Sequence, residues 1–189
     1  MFERYKSALN FVWNVCSKPD ATLRYEALLN LFYGKNILRQ YIMPLAEILM
    51  LMAFIGALFW DEMHLASAVV KSIFEYFCFI VSYGVLFWLI RWCTIRFFVE
   101  QIEDRNISLL VASLMAVTFA INLLLSLMPN MFFINFFYGY IFYLVWVMSE
   151  GVVDIAEELR NKYMFVVSIC VIIIPLVVMM LLKNLAPNL

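Results

Sequence analysis

The sequence predicts an all-α polytopic membrane protein: a bundle of five transmembrane helices preceded by a short amphipathic N-terminal cytoplasmic region over residues 1–41. Three observations predict it. The chain is 66% hydrophobic and only 14% charged, against roughly 45–50% apolar and 25% charged in soluble globular domains. Long apolar runs recur from residue 42 to residue 182. The basic residues gather on one side of those runs.

A helix crossing a hydrocarbon core of ~30 Å needs about 20 mostly apolar residues. Residues 42–60 qualify, with Glu47 their only charge. Residues 72–92 follow, interrupted by Glu75 near the start and Arg91 at the end. From Asn106 to Ser149 there is no charged residue at all, over 44 positions. As one helix that stretch would measure about 66 Å, more than twice the core. It must fold back, and Pro129-Asn130 is the pair that breaks helices and favours a turn. Two spans result, 107–128 and 131–149. The uncharged run 163–182 makes the fifth.

Orientation follows from Lys and Arg in the short loops. With the N-terminus inside, eleven basic residues lie on the cytoplasmic side and two on the other. The expected arrangement is therefore N-terminus in the cytoplasm and C-terminus outside. No signal peptide of the usual form is expected, because residues 1–40 are charged throughout.

Within that leading region, Phe2, Tyr5, Leu9, Val12, Trp13 and Cys16 recur at three- and four-residue steps. Residues 2–16 therefore read as an amphipathic helix. Two places suit it equally, the inner membrane surface or the cytoplasmic ends of the spans. Tyr25, Leu28, Leu29 and Phe32 form a second apolar stripe, which Gly34 should end. Pro44 suits the first turn of the first span.

The composition also excludes functions. A net charge of −1 with no dense Lys/Arg cluster argues against nucleic acid as a partner. The four cysteines form no CxxC pair, and the single His64 has no partner motif. No metal site and no cofactor are expected. No nucleophile elbow, phosphate loop or kinase signature occurs, so the chain is not read as an enzyme.

Ionisable and amide groups inside spans are costly and point to pairs or functional sites. Glu47 lies one turn into the first span from the cytoplasmic side, with Arg91 and Glu150 ending the second and fourth spans there. A Glu47–Arg91 pair, with Glu150 and Asp154 nearby, is the expected arrangement. Glu75 lies one turn into the second span from the outer side, four residues after Lys71. Asn122 and Asn135 fall in the same outer third. These polar groups either line a small outward-facing cavity or tie helices together, with Lys71–Glu75 as an interfacial pair. Pro175, mid-span in the fifth helix, removes a backbone donor and should kink it. Ala112, Ala116 and Ala120 form a small-residue packing stripe, as do Ala53 and Ala57.

Several stretches resemble the Yip-domain family, named for Ypt/Rab-interacting proteins. They are Gln40-Tyr41-Ile42-Met43-Pro44-Leu45-Ala46 before Phe54-Ile55-Gly56, Phe11-Val12-Trp13 with Lys18-Pro19 upstream, and Tyr140-Ile141-Phe142-Tyr143 with Glu150-Gly151 downstream. The resemblance implies five spans, a cytoplasmic N-terminus and a tight hairpin between the third and fourth spans. The short leading region is similar to the prokaryotic branch rather than to the Golgi and vesicle-trafficking members.

Two functions are therefore expected. One is a non-enzymatic scaffold or adaptor in membrane-protein organisation or trafficking, with lipid bilayer, other membrane proteins or a second copy of itself as partners. The other is a small transporter, channel or lipid-handling protein that uses Glu47 and Glu75. The expected location is the cell inner (plasma) membrane, with a Golgi-type endomembrane as the alternative.

Overall fold

The computed structural model describes residues 2–32, 36–60, 64–99, 102–127 and 131–185. Every regular element among them is helical. Helix α1 covers Phe2–Ser17, α2 Pro19–Thr22 and α3 Tyr25–Phe32. A π-turn, Leu38–Ile42, runs directly into α4, Met43–Phe59. Then come α5 (Leu65–Phe97), α6 (Asp104–Leu127), a 3₁₀ segment (Phe132–Tyr138), α7 (Gly139–Gly151) and α8 (Glu157–Leu185).

Four of these helices are long and apolar enough to cross a membrane: Leu38–Phe59, Leu65–Phe97, Asp104–Leu127 and Glu157–Leu182. They cover the expected spans 72–92 and 163–182, 42–60 as far as residue 59, and 107–128 as far as residue 127. The expected turn at Pro129-Asn130 and the stop at Gly34 lie outside the described residues. With 33 residues, α5 is about 50 Å long and overruns its expected span at both ends.

The expected fourth span, 131–149, is not one α-helix. It begins as the 3₁₀ segment and becomes α-helical only at Gly139. The thirteen residues of α7 rise about 20 Å, short of a ~30 Å core. The segment Phe-Phe-Ile-Asn-Phe-Phe-Tyr is a run of side chains that lose rotamer freedom in an α-helix, which weakens α-helical winding there.

The π-turn has a local cause in Pro44. Its ring cannot donate to the carbonyl four residues back and crowds that turn. Widening the preceding turn relieves the crowding, and the Met43 amide reaches back five residues to the Leu38 carbonyl.

Helix α6 is the core. In its most apolar stretch 72% of residues are buried inside the protein, against 22% in α8. The small-residue stripe makes this possible, since Ala112 and Ala116 are buried at close helix contacts. Helices α5 and α8 carry the outer faces. Val69, Val70, Ile73, Phe77, Val81 and Trp88 on α5, and Phe165, Ile169, Ile173 and Val177 on α8, remain exposed. Such continuous apolar surface suits hydrocarbon and not water.

The N-terminal helices flank this bundle. Helix α1 buries Ala8, Phe11, Val12 and Val15, and packs chiefly on α6 and on the start of α4. The structure thus packs α1 against the helices, beside positions 117–124 of α6. An apolar groove of about 660 Å³ separates α1 from positions 117–124 of α6. An aromatic cluster holds the corner: Phe11, Phe32 and Tyr41 have ring centroids 4.4–5.7 Å apart. The far end is tied to α7, where the Tyr140 hydroxyl donates to the Val15 carbonyl at 3.2 Å and the Tyr143 hydroxyl to Asp20 at 2.5 Å.

Candidate functional site

A cavity of about 510 Å³ opens between α4, α5, α6, the 3₁₀ segment and α8. Helical periodicity selects its lining. On α5, Lys71, Glu75 and Cys78 stand one above another on a single face. Asn122 and Ser126 come from α6, Asn135 and Tyr138 from the 3₁₀ segment, and Pro175 from α8. Glu75, Asn122 and Asn135, expected at one depth from counting alone, are thus around one cavity. The rest of the wall is apolar, with Leu49, Ala53, Leu176 and Met179 among it.

Two features set the cavity's shape. A Cβ on Gly56 would stand 2.6 Å from the Ser126 carbonyl oxygen, so α4 and α6 approach closely only because residue 56 has no side chain. On the opposite side, the Tyr138 hydroxyl donates to Asn122 Oδ1 at 3.4 Å, linking the 3₁₀ segment to α6. Ser126 donates back to the Asn122 carbonyl at 2.9 Å, an ordinary way for a serine in an apolar helix to be satisfied. Helix α8 runs through Pro175, whose missing N–H leaves the Val171 carbonyl without its usual donor within the helix.

Glu47 occupies a different place. Its carboxylate accepts from Arg4 at 3.1 and 3.3 Å and from the Tyr5 hydroxyl. Arg4 also lies over the Tyr5 ring, 5.4 Å from its centroid. Leu49, two residues on and across the helix, lines the Glu75 cavity. The two carboxylates therefore lie on different sides of α4.

The expected Glu47–Arg91 pair is not formed. Arg91 pairs with Asp104 at 2.5 Å and Glu150 with Arg160 at 3.0 Å. The cause is that α1 folds back on α4 and supplies Arg4, while the length of α5 carries Arg91 to the start of α6. Asp154 takes a left-handed conformation (φ 58°) in the link between α7 and α8.

Ser126 and Tyr138 were not singled out from sequence, and Gly56 entered only as part of the Phe54-Ile55-Gly56 motif. Gly56 carried a usable signal, because it extends the small-residue face of Ala53 and Ala57. Tyr138 carried none.

The fold and the cavity define a helical protein with four membrane-length helices around a mostly apolar cavity that carries a few polar groups. No family model, curated protein or solved structure matches the chain. The likeness to the Yip-domain family thus rests on its short motifs.

Proposed function

We propose that this chain is a five-span, lipid-handling membrane protein whose cavity takes the zwitterionic headgroup of a phospholipid. The observation that carries the reading is the pairing of Lys71 and Glu75, one helical turn apart, on a wall that is otherwise mostly apolar. One charge of each sign at that spacing complements a phosphate joined to an amine, and Asn122, Asn135 and Tyr138 add hydrogen-bonding groups. Leu49, Ala53, Leu176 and Met179 suit the acyl end. Trp60 stands at the rim, more than half exposed, as interfacial tryptophans do.

The 3₁₀ segment and α7 together supply the fifth crossing. Their combined rise is about 33 Å from the standard 3₁₀ and α values, enough for the core. The distribution of basic residues supports a cytoplasmic N-terminus, and the plasma membrane is the location this proposal takes.

The adaptor role implied by the Yip-domain likeness has less support. It assigns a contact surface to the leading helix, whose face at Ala8, Phe11, Val12 and Val15 is buried on the bundle.

Native mass spectrometry of the purified protein tests the proposal. Wild-type protein should retain zwitterionic phospholipid, and Glu75→Gln and Lys71→Ala should each retain several-fold less. Equal retention by all three, with folding intact, would sink it.

A further inference from the structure

Helix α1 has three faces rather than two. At about 100° per residue, Ala8, Phe11 and Val15 fall together and are buried on the bundle. Glu3, Asn10 and Asn14 fall roughly 120° away and are exposed. The third face carries Phe2, Leu9 and Trp13, at steps of seven and four, and all three are exposed as well. One apolar face docks a helix on its protein. A second one calls for a further apolar neighbour.

The place for that neighbour is the groove between α1 and α6. Its two walls match in spacing. Leu9, Val12, Trp13 and Cys16 on α1 recur at i, i+3, i+4 and i+7, as do Val117, Ala120, Ile121 and Leu124 on α6. Such faces can interlock, yet here a volume of about 660 Å³ lies between them. Ties at both ends of α1 fix the separation: Arg4 and Tyr5 on Glu47, and Tyr140 on the Val15 carbonyl. Both walls forfeit dispersion contacts unless an apolar group fills the space.

The groove opens sideways. Leu124 and Phe137 line it while being 41% and 56% exposed, and Phe136 next in the chain is more exposed still. It is thus continuous with the outward apolar surface of the bundle, which suits hydrocarbon. Its polar lining is sparse: Asn10, the Trp13 indole, the Cys16 thiol and Tyr140, whose hydroxyl is engaged with Val15. Trp13 stands at the rim, as interfacial tryptophans do. Lys6, exposed one turn before Leu9, offers a cation to a lipid phosphate.

We propose that this groove holds one acyl chain of a bilayer phospholipid, which fills the space between α1 and α6 and fastens the leading helix to the bundle. The site rests on the membrane reading but not on the headgroup cavity, with which it shares no lining residue among those described.

The test is photolabelling of the full chain in phosphatidylcholine vesicles. The probe is a phosphatidylcholine with a diazirine midway along one acyl chain, and adducts are mapped by peptide mass spectrometry. Wild-type protein should be labelled within residues 9–16 and 117–124, besides the outer faces of α5 and α8. Ala120→Phe, which fills the groove, should cut the labelling of α1 and α6 several-fold and leave α5 and α8 unchanged. Wild-type labelling confined to α5 and α8 overturns the site, whether or not the variant folds. Unchanged labelling of α1 in a folded Ala120→Phe protein also overturns it, because α1 then merely lies against the bilayer. An unlabelled α1 in a chain that sediments as a dimer would give the groove to a second copy. Glu75→Gln disturbs the headgroup cavity alone and should leave α1 labelling as it is, so the two proposals fail separately.

Discussion

Glu47 and Glu75 are both single carboxylates inside apolar helices, yet the structure treats them in opposite ways. Glu47 is clamped by Arg4 and Tyr5, which are carried in by α1. Glu75 lines two connected pockets with Lys71, Asn122 and Ser82 around it. An intramembrane charge is a functional candidate by default, but what surrounds it decides. The Glu47 site joins two helices through Arg4 and Tyr5, so it acts as a latch. The Glu75 site keeps space beside its charge.

The contrast is broken most strongly at the latch's hydrophobic support. Phe11 is 2% exposed and packs edge-on to Phe32 and Tyr41. Phe11→Ala should cost about 3–5 kcal/mol, as large-to-small core changes do. Hydrogen exchange should then accelerate across residues 2–32 while α5 and α8 stay protected. Equal acceleration throughout would mean that α1 belongs to the same cooperative unit as the bundle.

Gly56→Ala comes next, at roughly 1–3 kcal/mol, because the new methyl meets a backbone carbonyl that cannot rotate away. It should also lower lipid retention without altering a single polar group, since α4 and α6 wall the cavity together. Undiminished retention would place the lipid elsewhere.

Glu47→Gln keeps the shape and removes the charge. Both partners are about a third exposed, so the loss should be about 1–2 kcal/mol rather than the 3–5 of a fully buried pair. A double-mutant cycle with Arg4→Met isolates the coupling. Glu75→Gln should move stability by less than about 1 kcal/mol, while lowering lipid retention several-fold. A stability loss matching that of Glu47→Gln would make both carboxylates latches.

How much of this was legible depends on which physical quantity the sequence encodes. Apolar length is encoded directly, so 42–60, 72–92 and 163–182 fall on α4, α5 and α8. The winding of 131–149 is not, because hydropathy is blind to whether Phe-Phe-Ile-Asn-Phe-Phe-Tyr coils as α or 3₁₀. Amphipathicity found the helix of α1 but not its buried face. Of the stripe Phe2, Tyr5, Leu9, Val12, Trp13 and Cys16 the structure buries Val12 and exposes Phe2, Leu9, Trp13 and Cys16, while Ala8, Phe11 and Val15 are the residues that pack. The convergence of Glu75, Asn122 and Asn135 was readable because all three sit near the same ends of their helices. The partner of Glu47 was not, since Arg4 reaches it across 43 residues through a fold-back that no local pattern announces.

Arg91, expected to neutralise Glu47, supplies the smallest effect and the sharpest control. Its pair with Asp104 leaves the two side chains 45% and 63% exposed. Ion pairs that open to water contribute about 0–1 kcal/mol, because solvent screens them and the side chains lose freedom. Arg91→Ala should therefore shift stability by no more than about 1 kcal/mol and leave the Arg4–Glu47 coupling unchanged. A larger loss would show that lipid headgroups dry this end of α5, making the pair a third anchor of the bundle. A change in the Arg4–Glu47 coupling would show instead that the two ends communicate through α6, and the latch and the cavity could no longer be treated as separate sites.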